Sequence, residues 1–178
     1  MRKVCAVGGV IVSVLLSQQT HAEEAFGTLS DVSFANKLWS VLVEERLVGR
    51  KSFQTTPYEG TEPHGFVLQT IDGMIGVGSD TGYVIVKRNY GPEGVGVDAV
   101  ADDPATYLKA VTVMFQRPGY DKDNDDWFWV KYAPDGTVLT NPKGEKLAGR
   151  VAKGRDQGCI ACHVNAPGGD YVFNNNRR

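Results

Sequence analysis

Apolar residues fall at helical spacing in one segment near the start of the chain and alternate with polar ones in several later segments. Phe34, Leu38, Val41 and Leu42 recur every three or four residues up to Glu45, which predicts a helix with Ser33 or Asp31 as its cap. Pro57, Gly60 and Pro63 mark a loop. The run 65–71 (Gly-Phe-Val-Leu-Gln-Thr-Ile) reads as a strand, with Asp72-Gly73 as its turn. Residues 83–88 (Tyr-Val-Ile-Val-Lys-Arg) are strongly β-branched and predict a second strand. Asp103-Pro104 opens a short helix with proline at its first position. Residues 111–117 and 127–132 are a third and a fourth strand, the latter turning at Pro134-Asp-Gly136 into Thr137–Leu139. Between Gly119 and Asp126 the chain is polar and turn-like, and 141–154 reads as a Lys- and Gly-rich surface connection.

These elements predict an α+β fold, mainly an antiparallel sheet with a few helices. Composition agrees. In 178 residues, 21 Gly and 8 Pro would interrupt a helical bundle but suit short strands and turns, and 42% apolar residues supply a core. The formal net charge of −2 and the lack of a basic run argue against nucleic acid as a partner.

The first 22 residues read as a signal peptide. Arg2 and Lys3 precede an apolar stretch from Ala6 to Leu16, and small residues lead to Ala22 ahead of Glu23-Glu24. That stretch is well short of the roughly 20 residues a membrane span needs. Cleavage would place a single domain of residues 23–178 in the periplasm, with no membrane anchor. Cys5 and His21 would leave with the signal, and the net charge would become −4.

Of the remaining Cys and His residues, Cys159, Cys162 and His163 lie within five positions, and His64 stands apart. Cys159-Ile-Ala-Cys162-His163 is the attachment pattern of c-type haem. Two thiols at this spacing reach both vinyl groups of one porphyrin, and the adjacent imidazole falls beneath the iron. The expectation is one covalently bound haem c per chain, with His163 as the metal ligand. A thioredoxin-like pair does not require the histidine, a zinc site needs two further soft ligands, and a simple disulfide is the remaining rival. Electron carriers usually place this motif early in a helical chain with a later methionine ligand; here Met74 and Met114 precede it. No Met or His is set by motif as a second axial ligand, so a five-coordinate iron is expected.

The segments 84–90 (Val-Ile-Val-Lys-Arg-Asn-Tyr), 112–114 (Thr-Val-Met), Gly119-Tyr120, 126–129 (Asp-Trp-Phe-Trp) and Asp135-Gly136, all ahead of the haem motif, resemble the cytochrome P-460 family over roughly Leu38 to the C-terminus. The resemblance implies an antiparallel sheet, a c-type haem packed against it, and a homodimer. It also implies a strand lysine bonded to a porphyrin meso carbon, whose counterpart is Lys87. In the resembling enzymes a five-coordinate haem oxidises hydroxylamine, with nitrous oxide as a product, aided by a distal carboxylate. Related proteins on the same fold bind nitric oxide without turnover. A small redox protein would accept the electrons; a simple electron-transfer cytochrome is a further alternative.

Alternation alone puts Tyr83, Ile85 and Lys87 on one strand face, where a lysine is costly unless paired, exposed or chemically consumed. The segment 109–114 carries no carboxylate, and Leu68-Gln69 stand where a family arginine is expected. Both departures favour gas binding over turnover. His64 reads as a solvated loop histidine, with sixth ligand or proton shuttle as its alternatives. Trp127, Trp129 and Tyr132 read as core or interface aromatics, Tyr90 as a packing residue, and the acidic run 121–126 as a solvated turn.

Overall fold

The computed structural model describes residues 26–173; the proposed signal peptide lies outside them. The long hairpin of β2 (Val67–Val77) and β3 (Asp80–Tyr90) dominates the fold, with β4 (Leu108–Gln116) and β5 (Trp127–Tyr132) added in turn. Two short strands, β1 (Tyr58–Glu59) and β6 (Ala148–Gly149), complete the edges of a six-stranded sheet in sequence order β1-β2-β3-β4-β5-β6, every neighbour antiparallel. Four helices accompany it: α1 (Leu29–Glu44), α2 (Val97–Asp102), α3 (Pro104–Tyr107) and α4 (Cys159–His163). The expected mainly antiparallel α+β class is what forms.

Because side chains alternate, the sheet has two different faces. One carries Val84, Val86, Val111, Val113, Phe115, Phe128, Val130 and Tyr132, and α1 covers it with Phe34, Ala35, Leu38 and Leu42. Leu38 and Leu42 are wholly buried there, each worth about 2 kcal/mol of apolar transfer. The Tyr132 hydroxyl, also buried, donates to the Ala35 carbonyl at 2.7 Å. Helix α1 begins earlier than the sequence reading placed it. Thr28 is the cap, its hydroxyl accepting from the Asp31 amide, and Asp31, the third helical residue, accepts through its carboxylate from the Thr28 amide and hydroxyl.

Asp72-Gly73 is no turn. Those residues pair with Ile85 and Val84, and the hairpin closes only at Gly78-Ser79, where Gly78 has φ +64°. Alternation carries on past Gly73 because Ile75 and Val77 still bury against α1. The stretch 141–154 is likewise more than a surface connection. It contains β6 and buries Ala148, Val151 and Ala152. The Asp103 cap is present, accepting from the Thr106 amide at 3.3 Å and hydroxyl at 2.7 Å.

The opposite face of the sheet is the one that matters for chemistry. Register places Ile85, Met114 and Trp129 in one row across β3, β4 and β5, and Lys87, Thr112 and Lys131 in the next. The first row is apolar and buried, while the second is polar and half-buried. Val151, Ala152, Ile160 and Tyr171 pack with the first row, which seats α4 on this face.

Candidate functional site

Helix α4 is a single turn made almost wholly of the motif. Cys159 opens it, Cys162 follows three residues on, and Ile160 and His163 are buried. Residues three apart share a helix face, so both sulfurs present to one side. Cys162 is exposed; Cys159 is more enclosed, and burial pushes its thiol up to about 11. The two sulfurs are not bonded to each other.

The imidazole of His163 is fixed on several sides. Its Nδ1 lies 2.7 Å from the Tyr171 carbonyl oxygen, and since a carbonyl only accepts, Nδ1 carries the hydrogen. Trp129 packs edge to face at 4.8 Å between ring centres, and Phe173 lies at 5.3 Å. This leaves Nε2 with its lone pair as the nitrogen able to bind a metal, the other nitrogen being oriented by the backbone. Burial lowers the basicity of His163, the Tyr171 hydrogen bond partly restores it, and the Lys87 charge lowers it again. Burial thus favours the neutral imidazole, the form that binds metal.

Lys87 stands on the same face, as its alternation with Tyr83 and Ile85 predicts, and close enough for its charge to act on both His163 and His64. It is half-buried, so full exposure does not account for its place on this face. Its neighbour Arg88 points the other way. There it is buried, donating to the carbonyls of Leu47 and Phe53 at 2.8 Å and to Gln69 Oε1 at 3.2 Å. Gln69, expected where a family arginine would sit, therefore belongs to the α1 side with Arg88 and Tyr90.

His64 departs most from its sequence reading. The loop between β1 and β2 folds it onto the polar row, half-buried, with Nδ1 3.5 Å from Thr112 Oγ1 and its ring centre 6.0 Å from that of His163. Burial, then the charges of Lys87, His163 and Lys131, lowers its pKa to about 3. Only the pairing of β3 with β4 brings this loop, Thr112 and Lys87 together, a long-range relation with no signature in the local sequence.

A carboxylate on this face was not expected. Asp72, on β2 opposite Ile85, accepts a hydrogen bond from the Tyr83 hydroxyl on the same face, so a carboxylate does reach this side, from β2 instead of β4. Trp127 and Trp129 both line the apolar row, whereas Tyr132 belongs to the α1 core. The acidic run is partly interior: Asp121 and Asn124 are buried, and Lys153 bonds Asp121 at 2.6 Å.

The residues fit a haem. Among the described residues, no group of three or more His, Cys, Asp or Glu side chains converges as a closed metal site. A buried donor beside His163, Trp129 Nε1, has no hydrogen-bond partner among the described residues. Such groups are costly unless a bound molecule satisfies them, and a haem edge brings carboxylates.

A family model described as Cytochrome P460 matches residues 76–174. Comparison with curated proteins and with solved structures returned no match. The matched stretch is more than half of the chain and takes in β3, β4 and β5, with Lys87 and the whole Cys159–His163 turn. The chain belongs to the cytochrome P460 family, a family of haem cytochromes.

Proposed function

We propose that this protein is a periplasmic mono-haem c-type cytochrome that oxidises hydroxylamine. Cys159 and Cys162 hold the haem through thioethers, His163 binds the iron through Nε2, and Lys87 is bonded through Nζ to the porphyrin edge. The observation that carries this reading is the placement of Lys87. It shares the sheet face with the seat of α4, and its charge is felt at His163.

The haem supplies an iron that takes electrons from a bound nitrogenous molecule. The chain's part is positional. Trp129, Phe173 and the Tyr171 carbonyl hold the imidazole plane, and the apolar row of Ile85, Met114 and Trp129 keeps water from that side. Asp72, bonded to Tyr83, adds a carboxylate to this sheet face, in the row of Ile85. Two hydroxylamine molecules would yield one nitrous oxide, one water, four protons and four electrons, the electrons leaving to a small redox protein. Formation of the lysine bond removes one hydrogen from Nζ and one from a meso carbon. It is a two-electron oxidation that requires an oxidant of the peroxide class. A homodimer is the expected assembly.

Digestion of purified haem protein tests the reading. A tryptic peptide containing Lys87 should stay tied to the peptide carrying Cys159 and Cys162. Lys87→Leu should keep both thioethers, sharpen the broad red-shifted Soret band to an ordinary c-type one, and lose hydroxylamine oxidation. Release of an unmodified Lys87 peptide from the wild type would remove the enzyme assignment. The second reading is nitric oxide binding without turnover. It is favoured by Thr112, which stands opposite Lys87 on β4 where no carboxylate is offered.

A further inference from the structure

The strands that carry the site divide it into two neighbouring rows, and each row supports one histidine. His163 packs on Trp129, in the row of Ile85 and Met114. His64 reaches Thr112, in the row of Lys87 and Lys131. Rows two residues apart along a strand are about 6.8 Å apart. The two imidazoles thus stand side by side over one sheet face, their ring centres 6.0 Å apart and their planes at 88°.

We propose that His64 is the second axial ligand of the haem iron in the resting protein, binding opposite His163 and leaving when a substrate or gas arrives. The proposal rests on the reading that His163 binds the iron.

Spacing supports this assignment. A metal–imidazole bond is about 2 Å and the ring centre lies ~1 Å behind its nitrogen, so two rings on one metal ion stand about 6 Å apart. A bound diatomic or hydroxylamine between the iron and a non-ligating histidine would need a clearly wider gap.

Hydrogen bonding supports it as well. His163 gives its Nδ1 hydrogen to the Tyr171 carbonyl, which frees Nε2. His64 has the same arrangement: Nδ1 faces Thr112 Oγ1, which passes its own hydrogen to the Lys87 carbonyl at 3.4 Å and accepts from Asn89 Nδ2 at 3.4 Å. Each ring is thereby oriented by an outer partner through the nitrogen that does not bind metal. The other candidate, Met114, lies in the apolar row with Trp129, on the side that His163 already covers.

The seat is also breakable. His64 comes from a loop flanked by Pro63 and Gly65, not from a strand, so it can leave without disturbing a ladder. A ligand of this kind sets a gate: incoming molecules compete with an imidazole that remains nearby at high effective concentration.

Spectroscopy of the purified ferric haem protein at neutral pH provides the test, read by electron paramagnetic resonance and absorption. Wild type should be low-spin. His64→Ala should be high-spin, with the same covalent haem mass. Cyanide binding should accelerate at least tenfold in His64→Ala and lose the saturation in rate that departure of His64 imposes. Thr112→Val should raise the high-spin fraction while leaving haem content unchanged. His64→Gln, with circular dichroism on every variant, separates ligand loss from misfolding. A high-spin wild type whose spectrum His64→Ala leaves unchanged overturns the proposal while the haem assignment stands. So does a low-spin wild type converted by Met114→Leu and not by His64→Ala. A chain that takes up no haem overturns both, and mass measurement shows it first.

Discussion

His163 donates its Nδ1 hydrogen to the carbonyl oxygen of Tyr171, eight residues further along the chain and 2.7 Å away. Tyr171 is itself held in an unusual state. Its backbone has φ +63°, and its buried ring sends the hydroxyl to Asn124 Oδ1 at 3.0 Å and the Asp123 carbonyl at 3.2 Å. The acidic turn 121–126 thus acts as the anchor for the residue that orients the histidine. Asn124 donates in turn to Asp121 at 2.9 Å, and Asp121 meets Lys153.

Tyr171→Phe tests this link. It keeps the ring and the carbonyl but removes the hydroxyl, so the buried Asn124 oxygen loses its donor. The expected cost is about 1–2 kcal/mol of folding stability. Thermal or denaturant unfolding of the haem protein would measure it. His163 should still hold its ligand position, so haem content should not change. A simultaneous loss of haem would mean that the anchor governs the site directly.

The proposed covalent attachment has a separate consequence. Cys159→Ala with Cys162→Ala should give a chain from which acid-acetone extracts all haem, whereas the wild type should retain it and carry its mass. Single variants should retain haem through the remaining thioether. Cys162 is the exposed member of the pair, and Cys159 is enclosed near Ile160 and the apolar row. Cys159→Ala should therefore destabilise the fold more than Cys162→Ala, a difference read as a lower unfolding midpoint.

Much of the framework was legible in the residues, for physical reasons that also explain the gaps. The apolar alternation 83–88 dictated both a strand and the face on which Lys87 lies, because side chains of a regularly paired strand alternate between its faces. The haem motif was equally plain, since its chemistry depends on contiguous residues. His64 was not legible. A proline- and glycine-flanked histidine usually meets solvent, and what buries this one is Thr112, 48 residues away. Asp72 failed for a related reason. Asp-Gly is a strong turn signal, yet eleven paired residues of β2 and the burial of Ile75 and Val77 outweigh it. The segment 141–154 looked like a connection because its Lys and Gly content is that of a surface. Only the edge of β5 at Trp129 and Val130 makes it a strand.

Gly149 illustrates how tightly that edge is built. Its φ is +99°, and a Cβ there would stand 2.6 Å from the carboxylate carbon of Asp31. Asp31 is buried and shared, holding the Thr28 cap of α1 and accepting from the Tyr120 hydroxyl at 2.9 Å. Gly149→Ala combines a left-handed backbone with a collision against this carboxylate. A loss of about 2 kcal/mol or more is expected, with the first turn of α1 losing amide-exchange protection before the strands. Ser40→Ala, on an exposed part of α1, serves as the control and should change stability by less than ~0.5 kcal/mol.

Acid should release the segment that leads into the haem motif. Arg155 grips Glu145 with two parallel hydrogen bonds of 2.9 Å, and its guanidinium also lies 4.7 Å from the centre of the Phe26 ring. The Arg155 hydrogen bonds, followed by that of Asn141 at 2.7 Å, lower the Glu145 pKa from 4.5 to about 2. A carboxyl group whose pKa is lower in the folded than in the unfolded chain stabilises the fold fully above the unfolded value. That contribution declines as pH falls from about 4.5 and is gone below about 2. Unfolding midpoints measured from pH 7 down to acid should therefore fall less steeply between these values in Glu145→Gln than in the wild type. Above pH 5 the variant should be the less stable of the two, because the neutral amide cannot make the charged fork. High salt should narrow that difference, since the carboxylate is only half-buried and its Coulombic part is screened. Parallel acid profiles for the two proteins would show that Glu145 does not carry the linkage.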